Sequence, residues 1–174
     1  MADFAQHFIN RSRSLLLRDY LPRIEQCIEQ LNDEELWWRG NPQSNSVGNL
    51  LLHLEGNARQ WIVSGLGGEA DARGRDLEFE IGTAQPSGEE LLRLLHETLV
   101  EVDSVLSRLA PSRLSEVRRI QGRDDVTTLE AVYHVVEHFS MHTGQIILLT
   151  KLLTSRDLTF YEFNGGVPRE TWRP

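Results

Sequence analysis

At 174 residues, with 40% apolar and 25% charged, the chain has the length and the ordinary globular composition for one core-bearing domain spanning 1–174. Its formal charge of −8 argues against a nucleic-acid partner, since phosphate binding needs clustered Lys and Arg. No apolar run reaches the roughly 18 residues of a membrane span. Met1-Ala2-Asp3-Phe4 carries neither a basic leader nor an apolar signal core, and a single cysteine, Cys27, cannot form an internal disulfide. A cytoplasmic protein without a membrane partner is expected, with Cys27 a small buried hydrophobe on a helix.

The first helical stretch covers residues 3–31, with apolar residues at intervals of three, four or seven apart from a gap before Leu15 and Pro22 between Leu16 and Ile24. Pro22 should kink or interrupt it, because it lacks a donor and crowds the carbonyl four residues back. A short capped turn, "NDEEL", leads into Trp37-Trp38, and "RGNPQSNS" is a loop. A second helix over 46–66 ends at Gly65, Gly67 and Gly68. The connection from 67 to 86 has little periodicity, although 77–81 could form a short extended piece. Ser87-x-x-Glu90 is a capping box opening a third helix, whose stripe runs from Leu91 to Leu109 and stops at Pro111. Residues 111–126 read as irregular. A second capping box, Thr127-x-x-Glu130, opens a fourth helix over 127–153, and the aromatic, Gly/Pro-bearing tail is expected to pack over the helices as a loop. The fold expected is all-α: a four-helix bundle with a long crossover between helices 2 and 3.

The fourth helix contains "YHVVEHFSMHTGQIILLTKLL". His134, His138 and His142 stand four apart, so each is offset by only about 40° from the last and the three share one strip. Ala131, Gln145, Leu149 and Leu152 fall on that strip, which is therefore expected to face inward. Val136 and Ile147 lie nearly opposite, so the helix is apolar on both sides, as a fully buried helix or a dimer interface would be. On the second helix His53 shares a polar, small-residue line with Asn49, Gly56, Asn57, Gln60 and Ser64; Gly56 would leave room for a ligand or a neighbouring helix.

A lone histidine on an apolar face is more often a hydrogen-bonded core residue than a ligand. Two imidazoles one turn apart can chelate one cation, and an inward His53 would supply a third, the number typical of sites that keep open positions. His134 is then second shell, pocket wall or core. HExxH, CxxC, GxSxG, phosphate-loop and dinucleotide signatures are absent from the sequence, and His7 and His96 are read as incidental.

"HFSMHTGQI" resembles the HxxxH-x-GQ signature on the last helix of the DinB-like superfamily. "SNSVGNLLLHLEGNARQW" resembles that superfamily's second helix, which carries its remaining metal histidine. "RGRDLEFE" and "LNDEELWWR" look like a branch of uncharacterised members. The resemblance implies a bundle with a long crossover, often assembled as homodimers, with His53, His138 and His142 as ligands to zinc or nickel. It also implies a metal-activated low-molecular-weight thiol, as in the bacillithiol S-transferases and mycothiol-dependent isomerases related to it, acting on a small-molecule substrate.

Asn57 and Gln145, on the histidine strips, are candidates for second-shell or substrate hydrogen bonds, with His134 beside them; helix–helix hydrogen bonding is their plainer role. Arg73, Arg75 and Glu78 could close over the site, but a solvated charged loop is the expectation favoured for them. The function expected is a metal-dependent thiol S-transferase, or a hydrolase if water replaces the thiol. The alternatives are a non-catalytic, stress-associated protein that binds a metal or small molecule, and a bundle whose histidines serve packing alone.

Overall fold

The computed structural model of the protein describes residues 2–80 and 85–172. Most of these are helical, and two small antiparallel sheets accompany the helices. The first helical stretch is divided into α1 (Ala2–Ser14), a π-helical stretch (Leu15–Tyr20) and α2 (Leu21–Ile28). The wide turn is the answer to Pro22. Leu21 N–H bonds back five residues to the Leu16 carbonyl, and the loosened turn relieves the crowding that a proline ring imposes on an α-helix.

Then come α3 (Asp33–Leu36), α4 (Val47–Ala58) with a π-helical extension (Arg59–Ser64), and α5 (Gly88–Ser107). Residues 111–126, expected to be irregular, form a 3₁₀ turn (Pro111–Ser115) and most of a hairpin of β1 (Val117–Ile120) and β2 (Arg123–Thr127). Its turn places Gln121 at φ 54° and Gly122 at φ 77°, the paired left-handed conformation that favours two-residue hairpins. After α6 (Thr128–Thr154), the tail is a second hairpin rather than a loop: β3 (Tyr161–Asn164) pairs with β4 (Val167–Glu170) through Gly165-Gly166. The tail does pack over the helices. Gln26 of α2 donates to the Leu158 carbonyl at 2.6 Å, and the Arg23 guanidinium lies 3.9 Å from the Trp172 ring centre.

Every one of α3, α4, α5 and α6 begins with a reciprocal capping box. In α4 the residue closing the box is Asn49, which also reaches the connection between α4 and α5. Helix α4 packs on both α5 and α6, and α2 packs on α6, around a core that includes Leu54, Leu95, Leu99, Val135 and Phe139. Cys27 lies in this core, and burial pushes its thiol up to about 11, as expected of an unreactive packed residue.

Helix α6 buries one side only. Ala131, Val132, Val135, Phe139 and Ile146 are inside, whereas Tyr133, Met141, Leu148 and Leu152 are exposed, so the helix is not enclosed on both faces. Leu152 and Gln145, expected on an inward strip, face out, and the histidines stand along the edge between the two sides. Fully burying a large aliphatic or aromatic side chain is worth about 1.5–3 kcal/mol, so the aliphatic stripe sets the helix rotation and the imidazoles take the margin.

The link between α3 and α4 is closed by Trp37 lying over Gly48. A Cβ at position 48 would come within 2.8 Å of three ring atoms, and the ring is held by its Nε1 donating to the Pro86 carbonyl at 3.0 Å. Gly48→Ala should therefore lower stability by about 1–3 kcal/mol, despite the roughly 1 kcal/mol that alanine gains over glycine in a helix. Chemical denaturation, read by the shift in midpoint at constant slope, checks this.

Candidate metal centre

His53 of α4 meets His138 and His142 of α6. Their ligand nitrogens all lie within 4.8 Å of one another, and His53 Nε2 approaches His138 Nε2 to 2.8 Å. The ring centres are 4.8 Å (His53–His138), 5.2 Å (His53–His142) and 4.4 Å (His138–His142) apart. His53 and His142 are buried and His138 is half-buried.

The outer nitrogens of two rings are engaged by acceptors. His53 Nδ1 donates to Glu78 Oε2 at 2.7 Å, and His142 Nδ1 donates to Gln145 Oε1 at 2.7 Å. A neutral imidazole donating from Nδ1 in this way has its Nε2 lone pair free of a proton. The proton shared between His53 Nε2 and His138 Nε2 then belongs to His138, because His53 has spent its own on Glu78. His142 Nε2 is buried without any hydrogen-bond partner, which for a polar nitrogen costs about 1–3 kcal/mol.

These residues fit a divalent cation. Zinc–imidazole bonds of about 2.0–2.1 Å put tetrahedral nitrogens about 3.4 Å apart, between the closest separation here, 2.8 Å, and the largest, 4.8 Å. A cation would also answer the unpartnered His142 Nε2.

His134 stands outside the trio, stacked between Trp61 at 3.9 Å and His138 at 5.3 Å. Asn57 Nδ2 donates to His134 Nε2 at 3.0 Å, so Asn57 reaches the neighbour of the cluster rather than one of its three rings. Gln145, though largely exposed, is in direct contact with His142.

The connection between α4 and α5 overturns two expectations. Residues 75–79 form a 3₁₀ turn (Arg75–Phe79) instead of an extended piece, and Ile81 lies outside the described residues. Arg73 and Glu78 are not solvated: their side chains are 5% and 9% exposed. Arg73 Nε donates to Glu78 Oε1 at 2.6 Å and Nη2 to Oε2 at 2.9 Å, while Nη1 reaches Gln60 Oε1 at 2.9 Å. Arg75 alone keeps the expected exposure, with its guanidinium 5.5 Å from the Phe79 ring centre. The room above Gly56 is filled by this pair, because a Cβ there would collide with Glu78 Oε1 and come within 3.0 Å of Arg73 Nε. The available signal was Gly56 itself, one turn from His53 on a polar line.

Burial pushes the Glu78 carboxyl up, but hydrogen bonds from His53 and Arg73 and the Arg73 charge more than offset this and hold it below the usual range. Burial, then the neighbouring imidazoles and Arg73, hold His138 down to about 3. Burial likewise lowers His142, against the Gln145 hydrogen bond, and His134.

A mostly helical protein with three convergent histidines is thus the class that fold and site define. The chain matches the model of the family described as "Protein of unknown function (DUF1572)" over residues 3–165, and it belongs to that family. A solved structure of a conserved protein from Enterococcus faecalis aligns with 90% of this chain and 98% of its own, at 16% identity and a TM-score of 0.60. At that identity the likeness concerns the fold alone. A comparison with curated proteins gives no match.

The depressed imidazoles make a pH prediction for the protein freed of metal by chelation. An unfolded chain takes up these protons near the ordinary imidazole value of about 6.5, whereas folded His138 resists until about 3. Between those limits the unfolded state binds more protons, so stability falls as pH falls. The thermal midpoint should decline from pH 7 toward pH 4, and His138→Ala should flatten the part of the decline above about pH 5, where most carboxylates stay ionised.

Proposed function

We propose that the chain is a single DinB-like four-helix bundle domain that binds one divalent metal ion, zinc or nickel, through His53, His138 and His142, and works as a thiol S-transferase. The observation that carries the reading is the approach of three histidines from two helices, with one Nε2 buried and unpartnered. The resemblance of the "HLEGN" and "HTGQ" segments to the DinB-like superfamily supports the reaction class.

When bound, such an ion favours the thiolate form of a coordinated thiol, because three neutral imidazoles leave its charge uncompensated. Burial and neighbouring imidazoles hold His138 and His142 below the ordinary imidazole range, toward the neutral form a metal requires. Gln145 holds the His142 ring in the tautomer that frees Nε2. The half-buried His134, stacked on Trp61, offers a flat wall beside His138 against which a substrate could lie. In the transfer, a carbon–sulfur bond forms on the electrophile as its bond to the leaving group breaks, and the thiol proton passes to solvent.

Elemental analysis of protein loaded with zinc or nickel should give one ion per chain. His138→Ala and His142→Ala should each weaken binding beyond the roughly 10–100-fold typical of losing an outer-shell partner. The loaded protein should turn over in a panel pairing low-molecular-weight thiols with alkylating electrophiles. Turnover that persists undiminished in both variants would falsify the metal mechanism, and bound metal with no turnover across the panel would leave a binding protein in place of a transferase.

A further inference from the structure

We infer that Glu78 is a positioning residue for the histidine centre: clamped by Arg73 in the space that Gly56 leaves open, its carboxylate holds His53 in the Nδ1–H tautomer and turns Nε2 toward His138 and His142. The inference rests on the metal-binding reading above and extends it to a residue outside the ligand set.

The geometry separates this from an ordinary ion pair. Glu78 Oε2 accepts from both Arg73 Nη2, at 2.9 Å, and His53 Nδ1, at 2.7 Å, while Oε1 accepts from Arg73 Nε at 2.6 Å. An ionised carboxylate only accepts, so the hydrogen between His53 and Glu78 must sit on Nδ1. Arg73 Nη2 also lies 3.2 Å from His53 Nδ1, but both groups are donors and both direct their hydrogens to the same carboxylate oxygen. A buried ion pair is by itself weak evidence of stabilisation, because desolvation consumes most of the attraction. What this pair accomplishes is orientation. A carboxylate on the outer nitrogen of a metal-binding histidine fixes the tautomer and raises the basicity of the inner nitrogen.

The backbone under Glu78 is secured separately. Asn49 Nδ2 donates to the Glu78 carbonyl at 2.8 Å, and Arg39 Nη2 donates to Asn49 Oδ1 at 2.7 Å and to the Phe79 carbonyl at 2.8 Å. The segments "LNDEELWWR" and "RGRDLEFE" thereby join in one support, with Arg39 from the first and Arg73 and Glu78 from the second. Because these backbone bonds do not involve the carboxylate, its charge can be removed while the turn stays attached.

The test uses full-length protein labelled with 15N on histidine. In the wild type without metal, at pH 7.5, long-range 1H–15N spectra should show His53 protonated on Nδ1. In Glu78→Gln the two tautomers should mix, and zinc affinity, measured by competition with a chromophoric chelator, should fall about 10–100-fold. Glu78→Gln added to His53→Ala should cause no further loss, and Glu80→Gln, at an exposed neighbour, should change neither quantity. A purely structural role would lower the thermal midpoint without moving the tautomer. A wild-type His53 protonated on Nε2 overturns the inference with no variant needed, as does equal zinc affinity in wild type and Glu78→Gln. If the wild type shows the Nδ1–H tautomer yet binds neither zinc nor nickel, the metal reading fails and the tautomer lock stands.

Discussion

The site exists because α6 buries a stripe that its histidines do not share. Val135, Phe139 and Ile146 are 0% exposed, and their combined transfer free energy, about 1.5–3 kcal/mol each, exceeds anything an imidazole gains by turning to water. Rotating α6 to suit the histidines would expose that stripe. Packing it against α4 instead carries His138 and His142 sideways onto His53 and leaves His142 Nε2 buried and unpartnered. A local cost of about 1–3 kcal/mol is thus imposed by a larger packing gain. Natural structures tolerate such a cost at few places, and those places commonly do chemistry.

Charge distribution follows from the same enclosure. His138 touches the rings of His53, His134 and His142, and Arg73 lies beside His53, so protonating His138 places a cation against three other imidazoles. Burial, with these neighbours, holds His138, His142 and His134 toward the neutral form. Among the described residues, Glu78 is the carboxylate hydrogen-bonded to this cluster, and Arg73 neutralises that carboxylate. The surroundings of the three nitrogens therefore have little net charge of their own, and the charge brought by a cation remains available to whatever it binds.

Legibility in the sequence divides along the range of the forces involved. Helix starts are local: Ser87-x-x-Glu90 and Thr127-x-x-Glu130 can be read directly, and both boxes form. The box at Ser46 is harder to see because Asn49 replaces the usual Glu or Gln, yet it closes in the same way. The four-residue spacing brings out the histidine pair for the same local reason. The hairpins are less legible. Gln121-Gly122 lacks the Asn or Asp that commonly announces such a turn, whereas Gly165-Gly166 between YEFN and VPRE is a signal open to reading. Whether α6 is buried on both faces is a property of its neighbours, and no periodicity in its own residues decides it.

The hardest part to read is the segment that supports the site. "RGRDLEFE" has the composition of a solvated loop, and the energetic rule that buried charges are rare argues for leaving it in water. That rule applies to charges taken singly. Arg73 and Glu78 are five apart with the 3₁₀ turn bending the chain between them, so they can neutralise each other before either is desolvated. Partners for what remains come from α4 and its π-helical extension: Gln60 for the guanidinium, His53 for the carboxylate and Asn49 for the backbone. The polar line on α4 and the charged loop are each anomalous alone, a helix face too hydrophilic to pack and a loop too charged to bury. Together they satisfy one another, and Gly56 marks where they touch. A polar stripe carrying one glycine on an otherwise leucine-rich helix is therefore better read as the seat of a buried polar segment than as vacant space for a ligand.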